Sequence, residues 1–232
     1  MPHNAGELSE TTAVEFEAVL QSHREESIHT FLARHTPLVG LVTWGGFIRS
    51  KFRLADAFVP DFLAVGIEPL SNSPIARAVF IEIERADVAL FTRTGDPSSS
   101  LTHAIRQVQD WKLWTRDNRQ YLQQTLQRIA ADDTEAVAHR RADAVDRFLS
   151  DGSRFLGCLS HGFTDRYLIV CGRRATMSVT DRLRLSQMNE DLQRIKIITY
   201  DVLMDALIRA LAVQGGMYPY REDILGPMFF AE

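Results

Sequence analysis

Short alternating runs of apolar and polar residues occupy the middle of the chain, and helical spacing takes over on either side. In Ala78-Val79-Phe80-Ile81-Glu82-Ile83-Glu84-Arg85, the side chains of Val79, Ile81 and Ile83 fall on one face of a strand. Glu82 and Glu84 stand side by side on the other. The run Phe58-Val59-Pro60-Asp61-Phe62-Leu63-Ala64-Val65 predicts a second buried strand, one that carries Asp61. A strand over 47–52 follows the turn Trp44-Gly45-Gly46.

Helical periodicity covers 13–34, with a break near Gln21-Ser22. His35-Thr36-Pro37 is expected to stop it, because the residue before a proline avoids the helical region. Residues 67–74 read as a loop. The turn Thr94-Gly95-Asp96-Pro97 leads into a long helix over 101–130, with Ile105, Val108, Trp111, Trp114 and Leu122 facing a core. A second helix is expected over 134–149, introduced by Asp132-Asp133. Short strands at 155–159 and 167–171, a helix at 180–191, a strand at 195–199 and a helix at 201–213 complete the pattern. These elements predict an α/β protein with a central mixed sheet flanked by helices. The domain is expected to span 13–214, after a disordered leader at 1–12. An aromatic tail at 215–232, bearing Tyr218, Tyr220, Phe229 and Phe230, is the expected oligomer contact.

Composition narrows the class. At 232 residues, 45% hydrophobic and 24% charged, the chain resembles an ordinary globular domain with enough length for a full core. No apolar run approaches the roughly 18 residues needed to span a bilayer, and the N-terminus lacks a signal-peptide pattern. Two cysteines, Cys158 and Cys171, lie among apolar neighbours and read as buried thiols of a cytoplasmic protein. The net charge of −4 argues against a broadly basic nucleic-acid surface. Lysine occurs only at Lys51, Lys112 and Lys196. The arginine excess suits phosphate contacts, although a GC-rich coding sequence gives the same bias. The histidines show no metal-ligand spacing and read as structural or exposed. Ser160-His161-Gly162 reads as a polar turn, and Thr94-Gly95-Asp96-Pro97 lacks the glycines and lysine of a phosphate loop.

Acids are what these apolar strands do not explain. Asp61, Glu82 and Glu84 in such segments are costly unless a cation or strong hydrogen bonds compensate. That cost points to a divalent metal site.

Five stretches carry a resemblance to the nuclease domain of the Shedu antiphage defence proteins, within the PD-(D/E)xK superfamily. The helix from Glu25 to Pro37 resembles the family's acid-bearing first helix. Pro60-Asp61-Phe62 is similar to its "PD" motif, and Phe80-Ile81-Glu82-Ile83-Glu84-Arg85 to its (D/E)xK strand. Ala104-Ile105-Arg106-Gln107-Val108-Gln109-Asp110-Trp111 resembles the glutamine-bearing helix. The segments Leu168-Ile169-Val170-Cys171-Gly172-Arg173 and Ile197-Ile198-Thr199-Tyr200-Asp201-Val202-Leu203 resemble the late strand-Gly-Arg and Thr-Tyr-Asp segments. One position departs: Glu84 stands where the family has its lysine.

The resemblance implies a PD-(D/E)xK nuclease-like core and phosphodiester hydrolysis of DNA assisted by Mg²⁺ or Mn²⁺. It implies Asp61, Glu82 and the carbonyl of Ile83 as metal ligands. Glu84 becomes a general base acting through water, or a ligand for a second metal. The first-helix acid is Glu25, or its neighbour Glu26, and Gln107 orients phosphate or water. Trp111 and Trp114 read as core. Arg85, Arg106, Arg140, Arg141 and Arg173 are the candidate phosphate contacts. The expected partners are DNA, further copies of the chain, and a regulatory partner chain, with no membrane. The alternative is a degenerate nuclease fold that binds DNA or assembles without cutting.

Overall fold

Five strands pair in the order β1-β2-β3-β4-β5 in the computed structural model, which describes residues 8–43, 47–67, 75–138, 158–160 and 162–214. The strands are β1 (Phe47–Ser50), β2 (Phe62–Ile67), β3 (Ala76–Ile83), β4 (Phe163–Val170) and β5 (Ile195–Ile198). The first three are antiparallel neighbours, with Ser50 opposite Phe62 and Phe62 opposite Ile81. β4 then runs parallel to β3, and β5 parallel to β4. Parallel neighbours need crossovers. Helices α4 (Ser99–Asp117) and α5 (Arg119–Ala138) lie between β3 and β4 in the chain, and α6 (Val179–Asp191) between β4 and β5. Helices α1 (Glu10–Gln21), α2 (Glu25–Arg34) and α3 (Thr36–Thr43) precede the sheet, and α7 (Tyr200–Gln214) follows it. The α/β class and the mixed sheet flanked by helices agree with the pattern in the sequence.

The alternation on β3 sorts two cores. Val79, Ile81 and Ile83 pack with Phe16, Phe31, Leu38 and Leu207 of the first and last helices. Ala78 and Phe80 face the opposite way, toward Leu101, Val108 and Trp111 of α4. The core reading of Trp111 holds, since its side chain is fully buried.

Several boundaries differ from expectation, each for a local reason. α1 starts at Glu10 because Ser9 and Thr12 cap it reciprocally, so residues 10–12 are helix rather than leader. Pro37 opens a helix instead of ending one. It sits in the first turn of α3, where a missing N–H is no loss. The long helix breaks at Asn118, whose amide and backbone N–H both donate to the Trp114 carbonyl at 2.9 Å. The strand expected at 155–159 does not form in its described part. Residues 158–160 are helical, and the Leu159 carbonyl accepts from Gln123 Nε2 at 2.8 Å in place of a neighbouring strand. Most of the helix expected at 134–149, and the whole of the tail at 215–232, lie outside the described residues. Cys158 and Cys171 are buried free thiols. Among the described residues no helix is long and apolar enough to cross a membrane.

Gly172 links the end of β4 to the site. Its φ of +65° suits glycine, and a Cβ there would fall 2.6 Å from the Val88 carbonyl oxygen. That close approach lets the Gly172 N–H donate to the Arg85 carbonyl at 3.2 Å, while the Gly172 carbonyl accepts from the Tyr200 N–H at 3.1 Å.

Candidate functional site

Asp61 directly precedes β2, and the hairpin register brings the residue after β1, Lys51, alongside it. The Lys51 N–H donates to the Asp61 carbonyl at 2.7 Å, and the Lys51 ammonium donates to Asp61 Oδ1. The second carboxylate oxygen, Oδ2, accepts the backbone N–H of Ile83 at 2.9 Å. One buried carboxylate thus ties the ends of β1, β2 and β3 together, with both oxygens engaged.

Glu82 is buried beside it, only 8% exposed, and takes no hydrogen bond from a described residue. Burial first, then the charges of Asp61, Glu84 and Glu25, push its carboxyl up to about 9, with Lys51 opposing. Glu84 is half-buried, and burial followed by Glu25 and Asp61 raises it to about 7. Glu25, in the first turn of α2, is raised by burial and then by Asp61. Four carboxylates from three elements therefore share one electrostatic field.

The backbone beyond β3 is held from behind. Tyr200 is fully buried, and its hydroxyl donates to the Glu84 carbonyl at 2.5 Å. The Glu84 N–H donates to Val170 at 2.8 Å. The neighbouring residue Asp201 accepts from Arg173 Nε at 3.1 Å and from the Arg174 backbone N–H. The Thr-Tyr-Asp segment accordingly braces the strand end that presents the acids.

The donor set consists of hard oxygens, which suits Mg²⁺ or Mn²⁺. A buried glutamate without a hydrogen-bond donor is a natural cation ligand. Among the described residues, however, no three His, Cys, Asp or Glu side chains are gathered into a ready metal cluster. Lys51 and the Ile83 N–H hold the Asp61 oxygens in this arrangement.

A family profile described as Shedu protein SduA, C-terminal, matches residues 22–204. The chain belongs to this family. The matched span takes in Glu25, Lys51, Asp61, Glu82, Glu84 and Tyr200. No curated protein matches the chain.

Within this Shedu family member, the other residues singled out in the sequence are more dispersed. Gln107 is half-buried on α4 and makes no hydrogen bond among the described residues, and Arg106 beside it is exposed. Arg85 is exposed and pairs with Asp87 through Nε at 2.9 Å and Nη2 at 2.5 Å. Arg173 binds both oxygens of Glu17 at 3.1 Å as well as Asp201, joining α1 to α7. Arg140 and Arg141 lie outside the described residues.

Two residues beside Asp61 escaped the sequence reading. Lys51 lies ten positions before Asp61 and meets it only through the β1–β2 pairing. His29, one turn after Glu25, stacks on Phe62 with ring centroids 4.9 Å apart, and its Nε2 is buried without a partner among the described residues. Burial and then the Lys51 charge hold this imidazole below its ordinary value, while Asp61 opposes them. The i, i+4 spacing of Glu25 and His29 was the one available signal.

Proposed function

We propose that this chain is a Mg²⁺- or Mn²⁺-dependent DNA endonuclease or nickase acting in antiphage defence. The observation that carries the reading is the common field of Asp61, Glu82, Glu84 and Glu25 at one end of the sheet. The Shedu family membership supports it. So does the order of an acid-bearing helix, a Pro-Asp strand, a Glu-x-Glu strand and a glutamine-bearing helix along the chain.

Asp61 and Glu82, with the Ile83 carbonyl, would hold the cation. When bound, that ion would offset charge on the phosphate oxygens. Glu84 would accept a proton from the attacking water as its oxygen bonds to phosphorus. The phosphorus–oxygen bond to the leaving group breaks, and the released alkoxide takes a proton from solvent. Glu25 fixes the water's approach from α2. Exposed Arg85 and Arg106 contact neighbouring phosphates, as do Arg140 and Arg141. Arg173 contributes through its ion pairs with Glu17 and Asp201 instead.

Incubation of purified protein with supercoiled plasmid and Mg²⁺ or Mn²⁺ tests the reading. Wild type should nick or linearise the plasmid, and Glu82→Ala should leave it intact. Equal cutting by both would mean that the activity belongs elsewhere.

A second reading is favoured by Glu84 and by the engaged oxygens of Asp61. In it, the fold binds DNA or assembles with other copies and does not cut. Glu84→Lys separates the two: a gain of cleavage marks a degenerate site, and a loss marks a working Glu-x-Glu site.

A further inference from the structure

Lys51 is set in place by more than one contact. Its φ of +49° lies in the left-handed region, which costs a non-glycine residue about 1 kcal/mol or more. Glycine would relieve that cost at such a turn. A lysine in this conformation directs its side chain back onto Asp61 while its own N–H bonds the Asp61 carbonyl at 2.7 Å. The partners differ sharply in exposure: the Lys51 side chain is 53% exposed and that of Asp61 only 6%. One end of the pair is buried, and the other borders solvent.

Two other cations have partners of their own, although the Arg85 charge also reaches Glu25 and Glu84. Arg85 is held by Asp87, and Lys112 donates to the Gln193 carbonyl at 3.0 Å on the α4 side of the sheet. Lys51 is the cation whose field offsets the charge of Glu82. Glu84, just past the end of β3, adds negative charge where phosphate has to approach.

We propose that Lys51 is the site's internal cation: it occupies Asp61 in the metal-free chain, yields that carboxylate to a divalent ion, and then faces the scissile phosphate. This inference rests on the nuclease reading for its last step and not for the first two. The ammonium takes no covalent part. It offsets charge on a non-bridging phosphate oxygen, a place from which Glu84 would repel it.

The first measurement is calorimetric titration of wild type and Lys51→Met with Mn²⁺ alone at pH 7.5 and low salt. Removing a competing ammonium should tighten Mn²⁺ binding by about three- to tenfold. Unchanged or weaker binding would overturn the proposal, as would an absence of binding in both proteins. Lys51→Gln, which keeps a polar chain of similar length, supplies the same comparison if the methionine variant does not fold.

The second measurement is plasmid cleavage at saturating Mn²⁺. Lys51→Met should cut about a hundredfold more slowly or worse. Undiminished cutting by Lys51→Met would overturn the phosphate-facing role. If wild type does not cut at all, the nuclease reading fails and the phosphate-facing role fails with it. The Mn²⁺ titration then decides the counter-ion role alone.

Discussion

The Tyr200 hydroxyl donates to the carbonyl oxygen of Glu84 at 2.5 Å, so a fully buried side chain from α7 fixes the backbone that carries a site acid. Tyr200→Phe keeps the ring and deletes only that bond. It should lower stability by about 1–3 kcal/mol, the cost of leaving a carbonyl unpaired, as read from urea unfolding midpoints. A variant as stable as wild type would mean that the bond does not brace the strand.

Glu82 and Glu84 give metal-free stability a definite slope with pH. Both carboxyls bind a proton more tightly in the folded chain than at the ordinary value of 4.5, with Glu84 raised to about 7 and Glu82 to about 9. The stability gained from protonation is complete below 4.5 and is lost as pH rises through those two values. Metal-free protein should therefore melt at a higher temperature at pH 6 than at pH 8.5. Glu82→Gln should flatten that slope and raise the pH 8.5 midpoint by about 2–5 °C. A midpoint that rises with pH in wild type would contradict the crowding of these acids.

Arg173 joins Glu17 of α1 to Asp201 of α7, with its side chain 22% exposed. Arg173→Met should cost about 1–2 kcal/mol in unfolding experiments. The salt dependence of DNA binding should stay as in wild type. A shallower salt slope would instead mark Arg173 as a phosphate contact.

Trp111 is fully buried against the sheet face that includes Phe80 and Tyr167, and its Nε1 is buried without a partner among the described residues. Trp111→Ala should destabilise by about 3–5 kcal/mol, measured by thermal or denaturant unfolding. Trp111→Phe, which removes the indole N–H, should cost much less. Equal losses in the two variants would show that the part of the indole beyond a phenyl ring carries the packing there.

Glu82 on β3 was legible because alternation is a local signal: Val79, Ile81 and Ile83 needed somewhere to pack, which left Glu82 facing the opposite way. Trp111 was legible for the same reason, at helical spacing with Leu101, Ala104 and Val108. Lys51 was hidden, because its partner is chosen by hairpin register across a connection whose length predicts no pairing. His29 was passed over because its i, i+4 spacing from Glu25 is common on helices and gains meaning only once Phe62 and Asp61 are brought beside it. Pro37 misled because a proline both ends helices and begins them, and only the position of the first turn separates the two. The Tyr200 brace was visible as a motif but not as a contact, since Glu84 lies far away in sequence.

A divalent ion held by Asp61 and Glu82 is the centre of the proposed chemistry. Calorimetric titration of Mg²⁺ or Mn²⁺ into the wild-type chain and into Glu82→Gln at pH 7.5 tests this most directly. Saturable binding to wild type, weakened at least about tenfold by the substitution, is the predicted result. Identical titrations for the two proteins, or no binding to wild type, would contradict it.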